Sequence, residues 1–445
     1  MKSDISGFPE FLPNEQIAFN NVMNTIKEHF ELYGFVPMDT PAVERIETLL
    51  AKGNDSEIYG LYRLADENSK KSLGLRFDLT VPFARYVSSH HGHMIFPHKR
   101  YQIAPVWRGE RPQYGRYRQF YQCDVDIIGE DELSISHDAE ILKLITETLR
   151  DLNIPEFTTK VNNRKILTGF LSHVIVGERA EEKVLECMRL IDKIDKLSVD
   201  EFWKGMEEFG ISSEDLTKLK SFLEVEKRGS NEEILKMLKT LNFSPEFNKG
   251  VAELETVLDL LKKFGIEDRY VKISTSLARG LSYYTGTVFE TSFDDMKDIG
   301  SIGGGGRYDD LTSLVSGSDK KFVGVGASIG ISRMVPKLID KGLLNCSKST
   351  TAQLLVTVQN RNFIGSYMKL SGKFRRLGIK TETYLQDKSL GAQIGYASRK
   401  GIKYVLIAND VELLDNKAII RNLETKEQTV IRTEYMGKEV VDLLR

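Results

Sequence analysis

Four arginines fall within residues 105–129, PVWRGERPQYGRYRQFYQCDVDIIG, a polar segment between two runs that read as strands. Arg108, Arg111, Arg116 and Arg118 cannot all be buried without partners, because unpaired buried charge is heavily penalised. Strand periodicity sorts the residues that follow, since alternate side chains face opposite sides of a sheet. In QFYQCDVDI, Tyr121, Cys123, Val125 and Ile127 share one face, which reads as core; Phe120, Gln122, Asp124 and Asp126 share a polar one. LRFDLTVPF repeats the arrangement, with Phe77, Leu79 and Val81 set against Arg76, Asp78 and Thr80. Each strand alone reads as an antiparallel strand with one face in water. Together, beside an arginine-rich hairpin, they make a polar binding floor. The charges then form either an internal ion-pair network or a site whose carboxylates take a cation while the guanidiniums take an anion. Guanidinium is planar, permanently charged and matched to phosphate. A substrate pair presenting an ammonium and a triphosphate would use both.

Two glycine-rich stretches come later. LARGLSYYTGTVFE (277–290) is followed by GSIGGGGRYDDL (300–311). Four consecutive glycines permit positive φ and close backbone approach, so they read as a ligand loop or a tight hairpin turn. No Gly-Lys-Ser/Thr follows, which excludes a phosphate-cradling P-loop. GVGASIGISR (324–333) has the spacing G-x-G-x-x-x-G without a surrounding βαβ unit, so it is not a dinucleotide fingerprint. Arg333, on the helix predicted after it, can point a charge back at the site. His90, His91 and His93 lack a suitably spaced fourth ligand, and a solvated helix end is the better reading than a metal site. Cys123, on the core face, reads as packing.

The elements that hold these residues follow from periodicity. Residues 15–33 have helical spacing, and a short extended piece then turns into a helix at Pro41. Residues 74–129 read as strand, helix, strand, polar loop, strand, and a helix covers about 130–150. Residues 164–265 form a nearly continuous helical pattern, an inserted helical domain, because strands resume at 270. After a linker at 347–353, strands alternate with helix-length segments, which implies a small α/β domain with a mostly parallel sheet.

Composition bounds the class. The 445 residues are 41% apolar and 28% charged, the balance of a globular protein with two or three domains. No apolar run approaches the roughly eighteen residues of a membrane span. The N-terminus has no apolar signal core, and three scattered cysteines form no disulfide or metal pattern, which fits a reducing cytoplasm. Net charge is −2, but it is unevenly spread: residues 347–445 carry 17 basic against 10 acidic side chains, the rest 45 against 54. A basic C-terminal module on an acidic body hints at a polyanionic partner.

Together, RFDLTVPFAR, VWRGERPQYGRYRQFYQCDVDIIG, ARGLSYYTGTVFE, GGGGRYDDL and GASIGISRM resemble the histidyl-tRNA synthetase family of class II aminoacyl-tRNA synthetases, over nearly the whole chain. The resemblance implies an α+β fold with an antiparallel-sheet catalytic domain in two parts, residues 1–163 and 266–346. A helical insertion would span 164–265 and an α/β anticodon-binding domain 353–445. It implies a homodimer formed partly around Pro41. It also implies ATP-dependent activation of L-histidine to histidyl-adenylate, with magnesium accompanying ATP, then transfer to the 3′ end of tRNA(His).

By position, the resemblance gives Asp78, Thr80 and Gln122 to the histidine α-ammonium group. Asp126 and Tyr284 go to the imidazole, with Tyr283 and Tyr308 nearby. Arg108 and Arg279 would flank the histidine carboxylate and the ATP α-phosphate, and Arg333 would bind the γ-phosphate. Glu110, Arg116 and Phe120 would orient adenosine and triphosphate; Gln113 and Arg118 would lie near the tRNA acceptor end. No dedicated protein metal site is implied. Ser282 stands where the family usually has Asp, leaving the orientation of Arg279 to another acid or to water. The alternative is a non-catalytic relative, the regulatory subunit of ATP phosphoribosyltransferase, which typically lacks the C-terminal domain and erodes these motifs. A class II synthetase for another amino acid is a further rival.

Overall fold

The computed structural model describes residues 5–50, 60–64, 72–194, 197–209, 211–227, 229–279, 284–309, 320–434 and 438–444. They form two compact units, Val22–Leu343 with the stretch ending at Pro9, and Glu10–Asn21 with Leu344–Arg445.

An eight-stranded sheet organises the first unit. Its strands are β1 (Val36–Pro37), β5 (His98–Trp107), β6 (Gln119–Glu130), β7 (Phe157–Asn163), β8 (Val271–Ile273), β9 (Thr287–Phe293), β10 (Ser301–Tyr308) and β11 (Phe322–Ile329). They lie in the order β1-β5-β6-β11-β10-β9-β7-β8. The five inner pairings are antiparallel, and the two outermost, β1 with β5 and β7 with β8, are parallel. A separate three-stranded sheet joins β2 (Val43–Arg45), β4 (Leu73–Leu75) and β3 (Arg63–Leu64).

The core face of β6 follows its alternation over Cys123, Val125 and Ile127, which are fully buried, whereas Tyr121 is only half-buried. Burial also pushes the Cys123 thiol well above its ordinary range. The opposite face departs from expectation, because Asp124 and Asp126 are only 3% exposed and face no water. The segment 75–83 departs further. It is one strand end followed by the helix Thr80–His90, not a continuous strand. Asp78 Oδ1 accepts the backbone N–H of Val81 at 3.0 Å, which holds the helix start. Pro82, in the first turn, would have donated to nothing there. Pro41 likewise precedes a strand, and the helix begins at Ile46. The extended Val43–Arg45 is used instead as a ladder partner for Leu73–Leu75.

The helices of the 164–265 stretch run between β7 and β8, which are neighbours, so the chain leaves and re-enters the sheet at one place. Their ends are well marked. Ser198 and Ser230 form capping boxes with Glu201 and Glu233, and Ser244 caps a helix with Pro245 in its first turn. Phe170 stacks on Phe222 at 4.8 Å, with Phe243 and Phe247 edge-on nearby.

In the second unit, strands β12 (Leu354–Val356), β13 (Thr381–Thr383), β14 (Tyr404–Ile407), β15 (Lys417–Asn422) and β16 (Gln428–Arg432) lie in the order β13-β12-β14-β15-β16. The first three are mutually parallel, while β15 and β16 continue antiparallel, so the sheet is mixed. Close spacing of the last strands explains this, since a short turn can only join antiparallel neighbours. Alternation along β12 and β14 feeds two cores. Leu354, Val356 and Leu406 meet Tyr367 and Phe374, whereas Leu355 and Val405 meet Ala397 on the other side.

Candidate active site

The arginines of the opening segment leave β5 and return on β6 through a hairpin whose tip is Gln113–Arg116. These two residues exchange backbone hydrogen bonds of 3.0 and 2.8 Å across Gly115 at φ +79°. Gln113, Arg111 and Arg116 are exposed. Arg118 sits at the hairpin base, where Nε donates to the Glu110 carbonyl at 3.1 Å and the stem packs against Gly7. Arg116 pairs with the Glu110 carboxylate. Arg108 donates from Nε to the Phe77 carbonyl at 3.1 Å, and its guanidinium lies 5.0 Å from the Phe120 ring centre.

Inside the hairpin is a cavity of about 220 Å³. Arg108, Glu110, Arg116, Phe120, Gln122, Arg279 and Arg333, all predicted, line it; Glu290, Ser301 and Ser328 were not foreseen. Four guanidiniums from three segments distant in the chain converge there. Arg333 is held by the carbonyls of Gly115 and Ser301 at 3.1 and 3.0 Å. Burial lowers its pKa, and the like charges of Arg116, Arg279 and Arg108 lower it further. At any relevant pH it stays charged. Concentrated positive charge in a concave, partly enclosed space is what a polyphosphate requires.

Arg279 Nη1 reaches Glu290 Oε1 at 2.7 Å and Ser301 Oγ at 3.0 Å. An acid on the neighbouring strand therefore orients this guanidinium. Ser282 and Tyr283, like Gly280 and Leu281, lie outside the described residues. The glycines 303–306 are not a loop or a turn. They form the middle of β10, and none has positive φ. Their purpose is clearance: a Cβ on Gly304 would lie 2.6 Å from Arg279 Nη1. Gly326 on β11 clears Asp126 in the same way, its absent Cβ leaving room for Oδ1.

One step along the sheet from the cavity is a closed acid cluster. Asp126 pairs with Arg100, its register partner on β5, at 2.6 Å, and accepts from Tyr308 Oη at 3.0 Å. Arg100 is fully buried, donates to the Leu79 carbonyl at 3.2 Å and stacks 4.3 Å from Phe83. Tyr284 packs on the Ala84–Tyr308 cluster beside it. Asp78 is buried at the start of the helix, and Thr80 is half-buried on its first turn. Burial lifts the Asp124 carboxyl to about 7; Asp126 and Asp78 add to the shift, while Arg100 and Ser328 oppose it.

Gln122, which lines the arginine cavity, and Asp124 and Asp126 of the acid cluster thus leave β6 on one sheet face. Arg100, Glu290 and Asp124 were given no role from the sequence. The available signal was a charged residue on a strand, which needs a partner across the ladder. The histidines 90, 91 and 93 end a helix. His90 stacks on Tyr86 at 4.3 Å and its Nδ1 lies 3.0 Å from the Tyr86 carbonyl. Among the described residues no group of three His, Cys, Asp or Glu is arranged to hold a metal ion.

Residues 7–334 match a family model described as histidyl-tRNA synthetase, and residues 353–443 match one described as an anticodon binding domain. A histidine–tRNA ligase of Clostridium tetani is 40% identical over 441 residues, 98% of each chain. The solved histidyl-tRNA synthetase of Nostoc sp. superposes with a TM-score of 0.88 at 36% identity, covering 100% of this chain and 99% of that one. A Bacillus halodurans structure described as an ATP phosphoribosyltransferase regulatory subunit/histidyl-tRNA synthetase superposes with a TM-score of 0.73 over 89% of this chain and 96% of that one. At 22% identity it shows a shared fold.

Proposed function

The chain belongs to the histidyl-tRNA synthetase family, and on that premise we propose how its cavity carries out the attachment of histidine to tRNA. The enzyme is a histidine–tRNA ligase, and the regulatory-subunit alternative is not better supported. Such an activity implies ATP. The observation that carries the mechanism is the convergence of Arg108, Arg116, Arg279 and Arg333 on one cavity beside a separate acid cluster.

Histidine would lie with its carboxylate between Arg108 and Arg279, its ammonium toward Asp78, Thr80 and Gln122, and its imidazole toward Asp126, Tyr284 and Tyr308. One carboxylate oxygen then attacks the ATP α-phosphorus in line. A new O–P bond forms as the bond to the β-phosphate breaks, and pyrophosphate leaves. Arg333 takes the γ-phosphate, and Phe120 with Glu110 and Arg116 takes the adenosine and triphosphate. Positioning and cations around the developing charge suffice for this displacement, with no nucleophilic side chain. Selectivity follows from matching a ring that both donates and accepts. A competitor without an imidazole leaves buried polar groups unpaired, and sites of this type discriminate by roughly 10⁴-fold or more.

Magnesium would enter with the triphosphate. Glu110 and Glu290, already paired with Arg116 and Arg279, are the carboxylates that line the cavity, and an ion that takes one or two carboxylates plus phosphate oxygens would draw on them. Transfer to the 3′ end of tRNA(His) would use the hairpin tip, Gln113, and Arg118 at its base, with residues 353–445 on the anticodon. A homodimer would cover exposed apolar residues near Pro41, Val36 and Val43 among them, and Ile95 at 85% exposure. No described helix is long and apolar enough to cross a membrane, and free thiols on all three cysteines fit a reducing cytoplasm.

Histidine-dependent ATP–pyrophosphate exchange, screened across the amino acids, tests the reading. Exchange with histidine alone is expected, and exchange with another amino acid, or none in folded protein, overturns it. Deletion after Leu344 should cost tRNA charging more than exchange; equal retention of both would remove the proposed role of the C-terminal unit.

A further inference from the structure

Asp124 is the one carboxylate on the polar face of β6 to which the mechanism above gives no task. It lies two residues from both Gln122 and Asp126, so all three side chains leave the strand on the same side. It is only 3% exposed, and its Oδ1 has no hydrogen-bond partner. Gln122, two residues nearer the cavity, has a buried Oε1 in the same condition, while its amide donates to Ser328 Oγ at 3.3 Å. Bare buried acceptors are rare in folded proteins, because the water they lose is not replaced. Gln122 and Ser328 line the cavity and Ser328 bonds to Asp124, so two such acceptors side by side point to a donor that arrives from outside.

The surrounding charges say what kind of donor. On β5, Arg100 is already paired with Asp126, and Gln102, the register partner of Asp124, directs its amide to Asp39 at 2.6 Å. On β11, Ser328 reaches the Asp124 carboxyl with a hydroxyl, which carries no charge. In the segment before the helix Thr80–His90, Asp78 adds a further acid. Arg76 there also feels the charge of Asp124, but it directs its N–H groups to the Thr40 and Pro105 carbonyls. Arg100, the largest positive influence on Asp124, is thus already committed to Asp126. A group that carries positive charge and several N–H donors would suit Asp124, and an ammonium has both.

We propose, resting on the amino-acid-activating reading above, that Asp124 joins Asp78 in taking the α-ammonium group of bound histidine, with Gln122 Oε1 as its companion acceptor. The consequence is proton linkage. Burial together with Asp126 and Asp78 keeps the Asp124 carboxyl titrating at about 7, against the opposing influence of Arg100 and Ser328. An arriving ammonium favours the ionised form, so histidine binding at neutral pH drives a proton off Asp124. Below that pH the proton must be removed first, and affinity falls as pH falls.

The test is calorimetric titration of the full-length protein with L-histidine at pH 8 and pH 6, with KM for ATP measured by pyrophosphate exchange. Asp124→Asn should weaken histidine by at least tenfold at pH 8 while KM for ATP stays within about twofold, since only one substrate loses a counter-charge. The fall in affinity from pH 8 to pH 6 should be steeper in wild type than in Asp124→Asn. The substrate imidazole titrates equally against both, so the difference isolates Asp124. If the variant does not fold, the wild type decides. A triazolylalanine, whose ring stays neutral in this range, should release a proton on binding at pH 7, read from titrations in buffers of different ionisation enthalpy. Unchanged histidine affinity in Asp124→Asn, or no proton release by wild type, overturns the assignment. Wild-type protein lacking any histidine-dependent exchange would instead overturn the reading on which it rests.

Discussion

Two arginine–carboxylate pairs on one sheet face, Arg100–Asp126 and Arg279–Glu290, have similar lengths of 2.6 and 2.7 Å and opposite surroundings. The first pair is sealed, with side chains 0% and 4% exposed; the second is about one-third open, at 36% and 34%. Removing both charges of a sealed pair from water is costly, and only a full set of hydrogen bonds and contacts offsets that cost. Arg100 has the Leu79 carbonyl and Phe83, and Asp126 has Tyr308. Such a pair is rigid and suits discrimination, because any ligand atom placed against it must match fixed donors and acceptors. The open pair leaves part of a guanidinium facing the cavity, aimed by Glu290 and Ser301 but accessible to a charge that develops and departs. Burial, not bond length, separates a selecting pair from a reacting one.

The contrast can be broken at either pair. Arg279→Ala should lower the rate of histidyl-adenylate formation by on the order of 10³-fold while histidine binding changes far less, since it removes a donor aimed at transition-state charge. Single-turnover adenylation beside equilibrium binding measures both, and equal losses would make Arg279 a ground-state binder. At the sealed pair, Arg100→Met should cost about 3–5 kcal/mol in urea unfolding, because Asp126 is left charged and buried. A second change, Asp126→Leu, should restore much of that stability while histidine dependence stays lost.

Asp124→Asn should stabilise the unliganded protein at pH 8 by on the order of 3 kcal/mol. The sign follows from a folded-state carboxyl raised to about 7 from an ordinary value near 4. Its contribution is fully present below pH 4 and lost as pH rises toward 7. Unfolding midpoints of the two proteins should therefore converge toward pH 4, and parallel curves would contradict the shift. The smallest effect is expected for Glu290→Gln, which keeps a hydrogen-bonding side chain but drops the charge that aims Arg279. Exchange turnover should fall roughly tenfold with both KM values nearly unchanged.

These pairs also show where sequence reasoning stops. The two faces of β6 and the helical stretch before β8 were readable, because periodicity is local and strong in each. The LRFDLTVPF segment was misread because Phe77, Leu79 and Val81 do alternate. Pro82, with Asp78 three residues ahead of the Val81 N–H's helical turn, was the competing sign of a helix start. The four glycines of β10 suggested a turn, yet the Arg279 side chain beside Gly304 needs room, and glycine inside a strand signals such close approach. Arg100 and Glu290 went unassigned for a different reason. Their partners are set by strand register and by a neighbouring strand distant in the chain, neither of which a residue pattern carries.

The most direct measurement is a crystal structure with a non-hydrolysable histidyl-adenylate analogue. The account predicts its phosphate mimic between Arg108 and Arg279, its imidazole against Asp126 and Tyr308, and its ammonium within hydrogen-bond distance of Gln122 and Asp124. An analogue bound away from the arginine cavity, or with its amino-acid part turned from the Arg100–Asp126 pair, would contradict it.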